Sequence, residues 1–457
     1  MATKPAFDLT AEVPRRPYLI MGMGKTGCSV ATWFAQSGVA FDMADSRAEL
    51  RNASQLQRTF PASRLYLADE LNSLDCRDYQ SLVLSPGVPH DIDLVQFAER
   101  SGIPVIGDIE VFFNRVRSPV TAVTGSNGKS TVVDLLTQMH RCAGQCVGLG
   151  GNFGTPALDL IGTSEPERYV LELSSFQLET TQSLHCDIAT VLNLSEDHMD
   201  RYRDFNGYAK AKGKIYRNAS WSVVNRDDRL ASQLAEGSRR MISFGLDVPE
   251  GNHFGVRKVG AVNFLCHGRD NLLPVSELKL LGRHNWANAL AALAMGYAAG
   301  LPRSAMLQAL RDYPGLDHRI QWVAEQKGVT WLNDSKATNP GAAVAALKGL
   351  NRPVILIAGG ESKGADFSVL GAALEGVVKQ VILLGREAEN IAMAMSAQIP
   401  VTRVADMREA VDKAGAVAES GDYVLLAPAC ASFDMFKNYA HRGDVFMELV
   451  RAREPGK

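Results

Sequence analysis

A glycine-rich loop between a strand and a helix restricts the possible folds of this chain more than any other part of its sequence. The segment TGSNGKST (Thr124 to Thr131) follows the β-rich run SPVTAVTG and precedes the helical pattern VVDLLTQMHRCAG. Strand, glycine turn and helix together are typical of a phosphate-binding loop, in which backbone N–H groups and a helix N-terminus converge on phosphate oxygens. The sequence therefore predicts an α/β domain with a mostly parallel sheet.

The side chains of this loop predict binding of ATP with Mg²⁺. Lys129 would reach the terminal phosphates, and the Ser130 hydroxyl would bind the metal ion. Val123 stands where the common pattern G-x-x-x-x-G-K-[ST] has its first glycine, so the match is to the variant T-G-x-x-G-K-[ST]-T. The other predicted ATP contacts of the loop are Gly125, Asn127, Gly128 and Thr131.

Chain length and alternating patterns predict three domains. The chain has 457 residues, and domains commonly hold about 100–200 residues. Strand-like runs alternate with helical patterns throughout, which indicates α/β layers. We expect a Rossmann-like domain over residues 1–107, a central P-loop domain with a mostly parallel sheet over 108–314, and a C-terminal Rossmann-like domain over 315–457.

Composition argues for a soluble protein of a reducing compartment. The net charge is −2 without a basic stripe, which argues against nucleic acid as a partner. The seven cysteines form no C-x-x-C pair, and we expect Cys142 and Cys146 to be buried on a helix. The longest apolar stretch, Ala289 to Leu301, is too short to span a bilayer, and the N-terminus lacks the apolar segment of a signal peptide. We expect a cytoplasmic location.

A second glycine-rich fingerprint lies near the N-terminus. Gly22, Gly24 and Gly27 form G-x-G-x-x-G after a strand-like run, and Asp45 ends the next strand. Alone, this pattern indicates NAD, but the same geometry serves any ligand with a diphosphate. Because the chain already has an ATP loop, we favour a second nucleotide joined through its diphosphate to another group.

Polar residues after other strands predict further parts of a site. Glu172 ends a strand-like run, where its carboxylate would suit Mg²⁺, and His198 lies in LSEDHMDRY just past another such run. In YAKAKGKIY, periodicity alone places all three lysines on a solvated face. The segments DHR (317–319), NDSKATN (333–339) and ACASFDMFKN (429–438) are also polar, and the last two follow strands at the end where open α/β sheets bind ligands.

Taken together, these segments resemble the Mur ligase family over nearly the whole chain. Eight segments occur in the family's order, namely TGSNGKST, LELSSFQLE, EDHMDRY, GRHNWANALAA, DHR, NDSKATNP, GGESKGADF and ACASFDMFKNYAHRG. Several of them also suit sister ligases, whereas NDSKATN and ACASFDMFKN are similar to the members that add D-glutamate.

The resemblance implies an ATP-dependent ligase of peptidoglycan precursor synthesis that adds D-glutamate to UDP-N-acetylmuramoyl-L-alanine. The sugar-nucleotide carboxylate would be phosphorylated by ATP, and the amine of D-glutamate would then displace phosphate. The first domain would bind the UDP-substrate, the second ATP, and the third the amino acid. We expect a monomer without membrane insertion.

The resemblance also assigns residues to these ligands. Lys129, His198, Lys212 and Arg319 would be catalytic. Two Mg²⁺ ions would be held by Ser130, Glu172, His198 and a carbamylated Lys212. Asn288, Arg319 and Asp334 would join the loop residues in binding ATP. The UDP-substrate would contact Lys25, Thr26, Asp45, Ser46, Arg47, Ser85, Pro86, Gly87 and Asn152. D-glutamate would contact Lys336, Thr338, Lys363, Ser432 and Tyr439.

Other functions remain open from the sequence. A sister Mur ligase or a folylpolyglutamate synthetase would share the ATP chemistry, although the folate enzyme lacks a UDP-type first domain. An NAD-dependent oxidoreductase built on Gly22 to Gly27 would leave the GKST loop unexplained. A P-loop ATPase motor would need a residue that positions a hydrolytic water and a partner surface, and we can name neither.

Overall fold

The computed structural model describes residues 16–162, 164–195, 201–362, 366–396 and 398–453, and its strands form three sheets. One compact unit runs through Pro274 and takes in Ala287–Ala309, and it holds the first two sheets. The other unit consists of Val275–Trp286 and the chain from Leu310 onward, and it holds the third sheet. No helix in the described ranges has both the length and the apolar character needed to cross a bilayer.

The first sheet has five parallel strands in the order β3-β2-β1-β4-β5. These are the first five positions of the Rossmann strand order 3-2-1-4-5-6, which confirms the predicted Rossmann-like fold of this part of the chain. The central strand YLIM is buried along its whole length, as expected for a strand covered on both faces. The elements are β1 (Tyr18–Met21), α1 (Lys25–Gln36), β2 (Phe41–Asp45), α2 (Ala53–Thr59), β3 (Leu65–Leu67), β4 (Leu82–Leu84), α3 (Asp93–Arg100), β5 (Val105–Ile106) and α4 (Asp108–Phe113).

The second sheet has nine strands in the order β14-β13-β12-β11-β10-β9-β6-β8-β7. It is parallel from β7 to β12 and antiparallel from β12 to β14. The strand that leads into the phosphate loop, VTAVT, lies inside the sheet and is fully buried. The elements are β6 (Val120–Thr124), α5 (Lys129–Cys142), β7 (Val147–Gly151), β8 (Arg168–Glu172), α6 (Ser175–Glu179), β9 (Ile188–Val191), α7 (Phe205–Gly213), β10 (Trp221–Asn225), α8 (Arg229–Gln233), β11 (Met241–Phe244), β12 (Phe254–Val259), β13 (Val262–His267), β14 (Asp270–Pro274), α9 (Arg283–Ala298) and α10 (Arg303–Asp312).

The third sheet has six strands in the order β15-β16-β20-β17-β18-β19 and is parallel except for β15. Its central strand, VILIAG, is again fully buried. The elements are β15 (Gln321–Gln326), β16 (Val329–Asn333), α11 (Pro340–Lys348), β17 (Val354–Gly359), α12 (Ser368–Leu374), β18 (Val378–Leu384), α13 (Ala388–Met393), β19 (Val401–Arg403), α14 (Met407–Val417), β20 (Tyr423–Leu426) and α15 (Tyr439–Ala452).

The expectation of two buried cysteines on one helix is wrong. Helix α5 ends at Cys142, so Cys146 lies beyond the helix, and both side chains are exposed. Apolar spacing of four residues indicates a shared face only while the helix continues.

Candidate active site

The predicted phosphate loop forms the junction between β6 and α5. Gly125 and Gly128 have φ angles of 146° and 84°, a region that residues with a Cβ rarely adopt. A Cβ on Gly128 would overlap the side-chain amide of Asn288, so this amide packs directly against the loop. The loop and Asn288, both predicted to bind ATP, therefore lie together.

Two neighbouring side chains that are not among the predicted site residues hold the loop in place. The backbone N–H of Asn127 donates to Oδ1 of Asn193 at 2.8 Å, and Nδ2 of Asn193 donates to the Asn127 carbonyl at 3.0 Å. The hydroxyls of Ser126 and Tyr208 are 3.0 Å apart. Asn193 follows the strand β9, and Tyr208 begins YAKAKGKIY. Both lie in segments whose polar residues after a strand or in a lysine-rich run could have indicated a site.

Lys129, Ser130, Glu172 and Asn152 converge at the start of α5. Nζ of Lys129 donates to the carbonyls of Gly125 and of Ser126, each at 2.9 Å. The hydroxyl of Ser130 donates to Oε2 of Glu172 at 2.7 Å, and Nδ2 of Asn152 donates to Oε1 at 2.7 Å. Both carboxylate oxygens of the buried Glu172 thus accept hydrogen bonds at the carboxyl end of β8.

The middle lysine of YAKAKGKIY is buried beside the same loop. Lys212 is 3% exposed, and its Nζ donates to the Gly125 carbonyl at 2.9 Å. It lies 4.7 Å from the ring centroid of Tyr208. Lys210 is exposed, and Lys214 is half-buried, where burial, with a smaller effect of Arg217, lowers its pKa. The solvated-face interpretation is therefore wrong for Lys212.

The oxygen ligands of this cluster fit Mg²⁺. The ion prefers hard oxygen ligands and is commonly bound through one or two carboxylates together with substrate phosphates. The Ser130 hydroxyl and the Glu172 carboxylate supply such oxygens, already in contact with each other. Among the described residues, no group of three or more His, Cys, Asp or Glu side chains could hold a metal ion. Phosphate oxygens of a bound nucleotide would therefore complete the coordination of the ion. His198 lies outside the described residues.

In the first sheet, the predicted UDP-substrate contacts surround the ends of β1, β2 and β4. Asp45 is buried and accepts from the backbone N–H of Met23 at 2.7 Å and from two guanidinium nitrogens of Arg47, each at 2.8 Å. Burial acts to raise the pKa of Asp45, but these hydrogen bonds outweigh it and lower the pKa. The carboxylate is therefore already engaged in ordering the loops around the glycine fingerprint.

The other predicted UDP-substrate contacts follow strands of the same sheet, except Asn152, which follows β7 of the second sheet. Lys25 and Thr26 begin α1, and Nζ of Lys25 donates to the Gly154 carbonyl at 2.6 Å. Ser85 directly precedes Pro86 and Gly87, and its hydroxyl donates to the Gly22 carbonyl at 2.6 Å. The exposed Ser46 follows β2.

In the second unit, Arg319 and Asp334 lie close together. Oδ1 of Asp334 accepts from the backbone N–H of Ile320 at 3.2 Å. Burial raises the pKa of Asp334 to about 7, against smaller opposing effects of this hydrogen bond and of Arg319. His318 and Ile320, on either side of Arg319, have φ angles of 61° and 44°, an unusual conformation for residues with a Cβ. Such strained segments commonly occur at functional sites.

Within the described residues, the predicted D-glutamate contacts Lys336, Thr338 and Ser432 lie on loops of the third sheet, and Tyr439 begins α15. Nζ of Lys336 is 5.6 Å from the ring centroid of Tyr439, and burial followed by the charge of Arg319 lowers the pKa of Lys336. Thr338 lies between β16 and α11 and is half-buried, and Ser432 follows β20 and is buried. Lys363 lies outside the described residues.

Arg442, which is not among the predicted site residues, joins these two loops. Its buried guanidinium donates to the Ser335 hydroxyl at 3.0 Å, to the Ser335 carbonyl at 2.9 Å and to the Cys430 carbonyl at 3.0 Å. A single arginine in a helical segment gives no sign of this role, because its contacts with Ser335 cross 107 residues of chain.

Family models match most of the chain. The Mur ligase MurD-like N-terminal domain matches residues 16–107, the Mur ligase middle domain matches 123–296, and the Mur ligase glutamate ligase domain matches 318–430. Solved structures are similar in fold. A UDP-N-acetylmuramoyl-L-alanyl-D-glutamate–2,6-diaminopimelate ligase aligns with a TM-score of 0.59 at 20% identity, over 83% of this chain and 94% of that chain. The UDP-N-acetylmuramate-alanine ligase MurC of Thermotoga maritima aligns with a TM-score of 0.55 at 18% identity, over 95% and 99%.

Relatives of higher identity span nearly the whole chain. The UDP-N-acetylmuramoylalanine–D-glutamate ligase of Pseudomonas syringae pv. tomato is 47% identical over 436 residues, which are 94% of this chain and 97% of the relative. The protein of the same name from Nitrosococcus oceani is 46% identical over 435 residues, 95% and 96% of the two chains. With these relatives and three matching domain models, the chain belongs to the Mur ligase family.

Proposed function

We propose that this chain is an ATP-dependent ligase of peptidoglycan precursor synthesis. It adds D-glutamate to UDP-N-acetylmuramoyl-L-alanine and releases ADP and phosphate. The observation that carries this proposal is the cluster of Lys129, Ser130, Glu172, Asn152 and Lys212 around one phosphate loop. The names of relatives at 46–47% identity support the choice of substrates.

The reaction has two steps. A carboxylate oxygen of the UDP-substrate attacks the γ-phosphorus of ATP, the bond to the β-phosphate oxygen breaks, and an acyl phosphate and ADP form. The amine of D-glutamate then attacks the acyl carbon, loses a proton, and phosphate leaves. A carboxylate is a poor electrophile at neutral pH, so it must be activated before the amine can attack. Enzymes catalyse this kind of phosphoryl transfer mainly by positioning and charge stabilisation.

Positive charge around the phosphates comes from this chain's own residues. Lys129 exchanges its contacts with the loop carbonyls for the terminal phosphates when ATP binds. Arg319 is proposed to contribute a second cation, with Asn288 and Asp334 binding adenosine. Asn152, already 2.7 Å from the Glu172 carboxylate, is proposed to contact the UDP-substrate.

Mg²⁺ would be held by Ser130 and Glu172, and a second ion by His198 and a carbamylated Lys212. The ions would neutralise developing charge on the phosphate oxygens when bound. Carbamylation joins the neutral amine of Lys212 to CO₂ with loss of a proton, which replaces a buried amine by an anionic oxygen ligand. The burial of Lys212 against the loop supports this role.

The remaining assignments complete the proposal. Residues 1–107 would bind the UDP-substrate, 108–314 ATP, and 315–457 D-glutamate. Lys336, Thr338, Lys363, Ser432 and Tyr439 would bind D-glutamate in the last segment. We propose that the protein is a monomer. We also propose that it is located in the cytoplasm, where the nucleotide substrates are available.

One assay tests the function against its alternatives. Phosphate release from ATP is measured with UDP-N-acetylmuramoyl-L-alanine, with and without D-glutamate, and the product mass is determined. We expect sustained release only with both substrates. L-alanine, L-glutamate and 2,6-diaminopimelate serve as control amino acids. Release that ignores both substrates would favour a motor-type ATPase, and product with another amino acid only would indicate a sister ligase.

A further inference from the structure

The loop after β4, which we name the Ser-Pro-Gly turn (residues 85–88), is anchored on its first-sheet side. The backbone N–H of Ser85 donates to the Met21 carbonyl, and the N–H of Val88 donates back to the Ser85 carbonyl, each at 2.9 Å. The Ser85 hydroxyl reaches the Gly22 carbonyl of the glycine fingerprint. The turn therefore carries three of the proposed UDP-substrate contacts in a defined conformation.

Arg201 holds this turn from the side of the nine-stranded sheet. One guanidinium nitrogen donates to the Pro86 carbonyl at 3.1 Å, and the other donates to the Val88 carbonyl at 2.7 Å. The same guanidinium lies over the ring of Phe176, 4.1 Å from its centroid. Hydrogen bonds from a charged donor and a cation–π contact are among the stronger polar interactions in proteins. A lysine could not make this planar, two-pronged contact.

The aromatic residues next to Arg201 lead directly to the phosphate loop. The ring of Tyr202 is stacked with that of Phe176 at 6.0 Å, and it meets the ring of Tyr208 edge-on at 5.3 Å. The hydroxyl of Tyr208 is 3.0 Å from that of Ser126 in the phosphate loop. Packed rings and hydrogen bonds therefore run continuously from the Ser-Pro-Gly turn to the loop that would bind ATP.

We propose that Arg201 is a positioning residue that sets the Ser-Pro-Gly turn, and the UDP-substrate on it, at the correct distance from the phosphate loop. The inference rests on the proposed function. Its physical reason is that the attacking carboxylate and the transferring phosphate belong to different ligands. An error of about 1 Å between such groups can cost about 100-fold in rate. Arg201 would touch neither ligand and would act through the two carbonyls of the turn.

The test compares Arg201→Ala and Arg201→Lys with the wild type and with Arg203→Ala. Arg203 is an exposed arginine two residues away, so its removal changes the charge equally without touching the turn. Steady-state kinetics give kcat and a KM for each substrate. Calorimetry gives the Kd of ADP and of UDP-N-acetylmuramoyl-L-alanine without any need for turnover.

For Arg201→Ala we expect kcat/KM for the UDP-substrate to fall roughly 10- to 100-fold, the range of hydrogen bonds to a charged group. The Kd of ADP should stay within about twofold of the wild type. For Arg201→Lys, kcat/KM for the UDP-substrate should lie between the values of the wild type and of Arg201→Ala, because a lysine can reach only one carbonyl at a time. Arg203→Ala should behave as the wild type.

The outcomes separate this inference from the proposed function. A wild-type protein that does not bind the UDP-substrate would overturn the proposed function itself. A wild-type protein that binds it, together with an Arg201→Ala variant of unchanged kcat/KM, would overturn the positioning role alone. If Arg201→Ala does not fold, Phe176→Leu provides the second measurement. That variant removes the ring beneath the guanidinium and should lower kcat/KM for the UDP-substrate in the same direction, and an unchanged value would refute the inference.

Discussion

Replacing Asp108 by asparagine should stabilise the protein at neutral pH. Asp108 is 3% exposed at the start of α4, and its Oδ2 accepts from Nε2 of Gln177 at 3.1 Å. Burial is the main cause that raises the pKa of this carboxyl from 3.8 to about 6, with smaller opposing effects of the Gln177 amide and backbone N–H groups. An asparagine at this position has nearly the same shape, keeps an acceptor for Gln177 and never ionises.

The sign follows from proton linkage. Between pH 3.8 and about 6 the folded protein binds more protons at this site than the unfolded chain, so the free energy of unfolding falls as the pH rises. A shift of about 2 pKa units at about 1.4 kcal/mol each makes ionised Asp108 cost about 3 kcal/mol above pH 7. An acidic residue in the first turn of a helix normally contributes about 0.3–1 kcal/mol of stabilisation, which is too small to reverse this result.

Calorimetry of wild type and Asp108→Asn from pH 5 to pH 8 measures the effect at constant ionic strength. Measured from acid pH, where Asp108 is protonated in both states, the gain of the variant over the wild type should be about half complete at pH 5 and about 3 kcal/mol at pH 8. The increase between pH 5 and pH 8 corresponds to a widening of the Tm difference between variant and wild type by about 3 °C for a large domain. Asp91→Asn is the control, because it removes an equal charge from an exposed site. Parallel Tm profiles of wild type and Asp108→Asn across this range would refute the reasoning.

Four further predictions concern the site. Gly128→Ala should lower the free energy of unfolding by about 1–3 kcal/mol and weaken ADP binding in calorimetry. The φ angle of 84° at this position is strained for a residue with a Cβ, and the new Cβ would overlap the side-chain amide of Asn288. Glu172→Gln should raise the Mg²⁺ concentration for half-maximal activity at least about 10-fold, whereas the exposed Glu236→Gln should not, and equal effects would contradict a metal role. Lys212→Ala should be inactive and partly rescued by short carboxylic acids, and full activity without rescue would exclude a carbamate. Lys363→Ala should raise the KM of D-glutamate far more than that of ATP, and a matching rise in both would count against direct contact.

Features encoded by neighbouring residues could be predicted from the sequence. The strand, glycine turn and helix around Lys129 depend on local backbone conformation, and the structure places them as expected. The strand predicted to end at Asp45 and the strand predicted before NDSKATN likewise become β2 and β16. The family resemblance, carried by short contiguous motifs, is confirmed by the family models and by the relatives.

Other features depended on the tertiary structure alone. Periodicity could not separate Lys212 from Lys210 and Lys214, because its burial comes from contact with a loop that lies 87 residues earlier in the chain. Arg201 reaches the Pro86 carbonyl across 115 residues, and no spacing rule predicts such a pair.

Local sequence patterns are therefore enough to predict the fold class, the phosphate loop and the family. Long-range packing determines which polar side chains are buried against that loop and which arginine holds the Ser-Pro-Gly turn. The physical reason is that local conformation depends on adjacent residues, whereas the burial of Lys212 and the contacts of Arg201 depend on how distant segments pack onto the sheets.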